Sequence, residues 1–292
     1  MITVNEAFRK FRSRLEITQK EQADASQRQK DIRGLMDKNF KLEEDFLTGS
    51  YRRYTKTKPL KDVDIFCVLH NDERHYRDKR PSILLAKVED VLAKEYGREY
   101  VSRQRRSATV DFNVAGQEDR VISFDVVPAF SKSDHYEIPD TATISGWTET
   151  NPKIHAEKAT AANDKYSGAW KGMVRMIKKW NLVKDKPIEP SFLLEVMALD
   201  LLRPPFNGQH PYEFKSFFAS AADRIDEAWP DPAGLGPPVS DTMTAGDRAK
   251  ARTALLEAEA LVTKAIRLST GDNNGGALRT YRALFGDLFP LS

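Results

Sequence analysis

A chain of 292 residues, 40% hydrophobic and 30% charged, has the length to bury a substantial core in one large or two intimate domains. Its 46 Lys and Arg against 43 Asp and Glu leave a net charge of +3, too weak a bias to argue for a nucleic-acid partner. One cysteine, Cys67, excludes an internal disulfide. The N-terminus lacks a basic-then-apolar leader and no apolar run approaches the ~20 residues of a membrane span, so the sequence predicts a cytoplasmic protein with no membrane partner.

From Val4 to Lys38 only Gly34 interrupts, and Phe8, Phe11, Leu15 and Ile17, then Ile32, Leu35 and Met36, recur at helical spacing around a polar centre. This predicts a long N-terminal helix, or two. Glu44 to Thr48 reads as a strand running into Gly49. Val63 to Leu69 is a continuous apolar run, as expected of a strand buried on both faces, with Cys67 as a buried thiol. Ser82 to Tyr96 has helical spacing. Ser107 to Val114 and Val121 to Val127 read as two strands of a hairpin turning at residues 115–119. Lys132 to Lys153, rich in Ser, Thr, Asp and Gly, predicts a long loop. Helices are then expected over Ala156 to Trp180, Ser191 to Leu202, Tyr212 to Trp229 and Ala245 to Leu268, with a Pro/Gly connection at Pro230 to Pro238. The fold class is α+β: a mixed sheet with helices over residues 1–150 and a helical domain over 151–292.

The chemistry concentrates at Thr48-Gly49-Ser50 and, twelve residues after Ser50, Asp62-Val63-Asp64. Alternate strand residues share a face, so Asp62 and Asp64 point together while Val63, Ile65 and Cys67 point into the core. A divalent metal relieves the repulsion of two such carboxylates, and hard oxygen ligands suit magnesium. Asp125 sits in a second apolar strand, where an unpaired charge is costly. If that strand is adjacent, three carboxylates converge and can hold two metals. Gly49 lets backbone approach phosphate, and the Ser50 hydroxyl adds a donor. D-x-D alone is commonly just a strand end; Gly-Ser, twelve residues and D-x-D closing on an apolar strand is far more specific.

Gly49-Ser50-Tyr51-Arg52-Arg53-Tyr54-Thr55 followed by Pro59-Leu60-Lys61-Asp62-Val63-Asp64-Ile65 resembles the active-site signature of polymerase-beta-type nucleotidyltransferases. Within that superfamily it is most similar to the bacterial cyclic-oligonucleotide synthases of antiphage defence (CD-NTases of the DncV-like group), relatives of cyclic GMP-AMP synthase and oligoadenylate synthetase. The resemblance extends to Asn151-Pro152-Lys153-Ile154-His155, to Met173 through Asn181, to Pro190-Ser191-Phe192-Leu193-Leu194-Glu195 and to Gly286-Asp287-Leu288-Phe289-Pro290; the N-terminal helix fits the family's spine helix by position only. It implies that Asp62 and Asp64 bind Mg2+ (with Mn2+ as a substitute) and the triphosphate, and that Asp125 shares a metal and helps activate the attacking hydroxyl. It implies that Gly49 and Ser50 hold the β and γ phosphates and that Lys178 and Ser191 complete the cradle. Lys178 is preferred over Lys179 because it stands two before the aromatic Trp180. Arg53 and Thr55 match positions near the site. The partners implied are ATP and other NTPs, an activating regulatory protein, and a separate effector reached through the product.

Two rival readings remain from sequence: nucleotide addition to an RNA end or a protein, and a degenerate module that binds a partner. A third, an antitoxin-linked nucleotidyltransferase, is usually smaller. Arg98, Arg103, Arg105 and Arg106 read as a charged strand edge. The five histidines show no zinc spacing, and Trp170 and Trp180 read as core.

Overall fold

The computed structural model describes residues 2–58, 60–112 and 123–292. The chain forms two compact units, Ile17–Ala156 and Met1–Glu16 together with Glu157–Ser292.

The N-terminal apolar pattern is two helices, α1 (Val4–Arg14) and α2 (Gln19–Asn39), because a second start signal interrupts it. Thr3 with Glu6 and Thr18 with Glu21 each form a reciprocal capping box. Glu21 is fully buried, and its Oε1 also accepts the Leu60 N–H at 2.8 Å.

In the unit 17–156, α2 leads into β1 (Leu42–Thr48), the single turn α3 (Gly49–Arg52), β2 (Asp62–Leu69), a 3-10 turn at Asn71–Tyr76 and α4 (Pro81–Tyr96). Then come β3 (Val101–Arg103), β4 (Ala108–Asp111), β5 (Ser123–Lys132), β6 (His135–Pro139) and β7 (Trp147–Thr150). The sheet order is β1-β2-β5-β4-β3, with β6 on β5 and β7 on β6. β2 and β5 run parallel, in register from Asp62↔Ser123 to Leu69↔Phe130; the other pairs are antiparallel. β4 and β5 pair as a hairpin would, and the expected turn at 115–119 lies outside the described residues.

One sheet face is buried: Val63, Ile65, Cys67, Phe124 and Val126 pack with Ile32 and Met36 of α2 and Leu84 and Val88 of α4. Burial pushes the Cys67 thiol up to about 12, so it stays protonated. On the other face Phe66, Val68, Ala129, Tyr136 and Ile138 form a small cluster with Phe46 and Val127.

The long loop expected over Lys132 to Lys153 is instead interrupted by two strands, β6 and β7. Its polar composition hides an apolar pair, Tyr136 and Ile138, that packs in the small cluster, while Ser133 at φ 54 allows a two-residue turn from β5 into β6. The arginine cluster is also less free than an exposed edge: Arg105 and Arg106 both donate to the fully buried Asp140.

α5 (Pro152–Lys165) carries the chain into the other unit, followed by α6 (Trp170–Val183), α7 (Phe192–Leu201), α8 (His210–Arg224), α9 (Ala245–Thr270) and α10 (Asn274–Phe285). The single helix expected over Ala156 to Trp180 breaks at Ser167 and Gly168, both at positive φ. Phe8 and Phe11 of α1 pack among Phe214, Tyr281, Phe285 and Phe289, and Trp170 and Trp180 are core residues as expected. Among the described residues no helix is long and apolar enough to cross a membrane.

Candidate active site

β2 begins at the acids. With Val63 and Ile65 fully buried beneath it, its alternation turns Asp62 and Asp64 to the opposite face. The parallel register sets Asp64 beside Asp125 of β5. The condition left open by the sequence, adjacency of the two strands, is therefore met, and Asp62, Asp64 and Asp125 lie on one face.

Crowding these carboxylates has an electrostatic cost. The protein packed around Asp64, and then the neighbouring Asp125, push its pKa from 3.8 up to about 6; Asp62 adds to the rise, and Lys56 and Arg53 oppose it. Asp125 is likewise raised by burial and by Asp62, opposed by a hydrogen bond from Thr109 and by Lys56. The Thr109 Oγ donates to Asp125 Oδ1 from the position directly across β4. Lys56 Nζ lies 2.6 Å from Asp62 Oδ2.

Gly49, at φ 62, opens α3 against this face. A Cβ built there would collide with Asp64 Oδ2, so the position needs glycine for both its backbone angle and its lack of a side chain. Ser50 follows in the same turn. Its carbonyl accepts the N–H of the fully buried Thr55 at 3.0 Å, fixing the chain just before Lys56.

In the helical unit Lys178 lies on α6, its Nζ 2.5 Å from Glu195 Oε1 of α7. Ser191 is the exposed N-cap of α7, without a side-chain cap bond. A cavity of about 860 Å³ in this unit, lined by Tyr166, Trp170, Trp229, Lys158, Lys165 and Arg224 among others, contains none of the expected site residues.

Sequence reasoning missed Lys56 and Thr109. Thr109 carried one usable signal, a hydroxyl in the strand preceding Asp125, but its register depends on the length of the intervening turn. Lys56 carried none beyond its place between the two halves of the signature.

The donor set suits a hard divalent cation, since three carboxylates share one face. Among the described residues no three His, Cys, Asp or Glu side chains are gathered as a ready-made metal cage. Asp62 is instead engaged by Lys56 and Asp125 by Thr109. The residues suit the ion in kind, and the hydrogen bonds from Lys56 and Thr109 would have to be exchanged for it.

A model of the Second Messenger Oligonucleotide or Dinucleotide Synthetase domain matches residues 1–163. Over 277 residues the chain is 27% identical to a probable cyclic nucleotide synthase of Bacillus cereus (strain VD146), covering 83% of this chain and 81% of that protein. Over 269 residues it is 26% identical to the cyclic AMP-AMP-AMP synthase of Acinetobacter sp. (strain ATCC 27244 / 9458), covering 85% and 73%. The fold is shared with E. coli MS115-1 CdnC in its structure with ATP, with a TM-score of 0.74, 16% identity and 99% of each chain covered. It is shared equally with the same protein in a CdnC:HORMA-deltaN complex, with a TM-score of 0.71, 16% identity and 98% of each chain covered. Matched by the domain over more than half its length, this chain belongs to the Second Messenger Oligonucleotide or Dinucleotide Synthetase family, the CD-NTase nucleotidyltransferases that make cyclic oligonucleotides.

Proposed function

We propose that the chain makes a cyclic di- or trinucleotide second messenger for antiphage defence, from ATP alone or with a second nucleoside triphosphate, in a reaction dependent on Mg2+ or Mn2+. The observation that carries this reading is the register pair Asp64 and Asp125 with Asp62 two residues along the same strand.

The divalent cation supplies charge neutralisation at the attacking and leaving oxygens of the phosphoryl displacement. Asp62 and Asp64 hold it with the triphosphate. Asp125 shares in that binding and helps activate the attacking hydroxyl, a task suited to a carboxylate whose pKa is raised. Gly49 admits the β and γ phosphates close to the backbone, and the Ser50 hydroxyl donates to them. Lys178 and Ser191 are the further phosphate-holding residues of this reading, assigned by family resemblance. The relatives support the substrate and partner classes: one is a cyclic AMP-AMP-AMP synthase, and CdnC has structures with ATP and in a HORMA-deltaN complex. An activating regulatory protein and a separate effector reached through the product complete the proposal.

The test is incubation with all four NTPs and Mg2+ or Mn2+, alongside Asp62→Asn and Asp64→Asn, with products resolved by phosphatase treatment and mass spectrometry. A phosphatase-resistant oligonucleotide made only by the wild type is expected. Product from both variants sinks the site assignment, and nucleotide addition to RNA or protein without a cyclic product favours the rival substrate class.

A further inference from the structure

Three carboxylates on one face of the sheet repel one another, and the fold supplies positive charge of its own against them. Lys56 bonds to Asp62, with its side chain only 15% exposed while that of Asp62 is 49% exposed. The ammonium is thus turned onto Asp62 rather than out into solvent. Its charge also reaches Asp64 and Asp125, where it opposes part of the rise that burial imposes. Lys56 therefore acts on all three members of the cluster.

The geometry points to Lys56 as a resident counter-ion: its ammonium is bonded to Asp62 Oδ2, and a cation that binds that oxygen would have to displace it. This rests on the metal-dependent reading proposed above. Such a lysine lowers the affinity of the acids for a lone cation, because two positive charges compete for the same carboxylate oxygens. A nucleoside triphosphate arriving with its own cation changes the balance. Its phosphate oxygens give the displaced ammonium a new partner, so cation and nucleotide bind together more readily than the cation alone. Lys56 is a positioning residue in this account, and it discriminates between a bare ion and an ion–nucleotide pair.

The experiment measures Mn2+ binding to the intact chain by electron paramagnetic resonance, without and with a non-hydrolysable ATP analogue. Thermal midpoints are recorded in EDTA and in saturating Mn2+. Wild type, Lys56→Met, Lys56→Gln, Lys56→Arg and Asp64→Asn are compared. Lys56→Met is expected to tighten Mn2+ binding on the order of tenfold and to shrink the gain from the analogue. Its midpoint is expected to fall in EDTA and to recover toward wild type in Mn2+. Lys56→Gln, which keeps polarity without charge, gives the same comparison if the methionine variant does not fold, and Lys56→Arg should remain near wild type. Unchanged or weaker Mn2+ binding in the uncharged variants, with wild-type binding still abolished by Asp64→Asn, overturns the role of Lys56 alone. Wild-type Mn2+ binding that is absent, or indifferent to Asp64→Asn, overturns the metal reading and the counter-ion with it.

Discussion

Lys178 and Glu195 form a buried ion pair between consecutive helices, with side chains 9% and 2% exposed and 2.5 Å between Nζ and Oε1. Removing one partner of such a pair strands the other charge in the core, at a cost of about 3–5 kcal/mol. Replacing both with apolar residues of similar volume is close to neutral. Lys178→Met should therefore lower the urea midpoint sharply, and Lys178→Met with Glu195→Leu should restore it. If Lys178 also holds the triphosphate, the double variant regains stability but keeps a raised KM for NTP. Recovery of both by the double variant assigns the lysine to structure alone.

Gly49→Ala tests the close approach of α3 to the acids. The added methyl collides with Asp64 Oδ2, and the residue stands at φ 62, where alanine costs roughly 1–2 kcal/mol. The carboxylate has to move. A fall in kcat by at least about tenfold with a modest loss of stability is expected, read by steady-state kinetics beside thermal unfolding.

Thr109 restrains Asp125 from the opposing strand. Thr109→Val keeps the shape and β-branching but removes the donor, leaving the Asp125 carboxylate less well held. It should lower kcat by roughly ten- to a hundredfold with little change in KM, and Thr109→Ser should rescue most of the loss. Wild-type kcat in Thr109→Val, with a loss in Thr109→Ser, would mark Thr109 as packing only.

His210 provides a pH signature in the helical unit. It stacks on Phe8 with ring centroids 5.1 Å apart, and burial, then the charge of Arg12, push its pKa from 6.5 down to about 4. Between those values the unfolded chain takes up a proton that the folded chain refuses. Stability is therefore lost as pH falls from about 6.5 toward about 4, by up to roughly 3 kcal/mol. His210→Phe should remove about 2 kcal/mol of the loss between about pH 7 and pH 5, measured by urea unfolding at each pH. An unchanged pH dependence would refute the assignment.

The sequence carried the parts of this fold that follow from local periodicity. The apolar run of β2, the helical spacing of α4 and the length of α9 are all visible in it, since each buries a face that its own residues define. It left open whether the N-terminal pattern is one helix or two, which the Thr18 and Glu21 capping box decides, and it did not carry the strands hidden in residues 132–153. Those strands depend on pairing partners distant in sequence and on two apolar residues in a polar stretch. At the site, Asp62 and Asp64 were legible from alternation. That Asp125 stands beside Asp64 became visible only with the parallel register, and the bonds from Lys56 and Thr109 only with the placed side chains.

The segment bearing Lys56 is tied down on either side. Thr55 is bonded to Ser50 on one flank, and Leu60, fully buried, to Glu21 of α2 on the other. The backbone just before Lys56 is thus a bonded one, and the reach of the ammonium to Asp62 is set by the lysine side-chain torsions that follow it. A counter-ion of this kind sets an equilibrium between ammonium and cation at Asp62, with its backbone already in place.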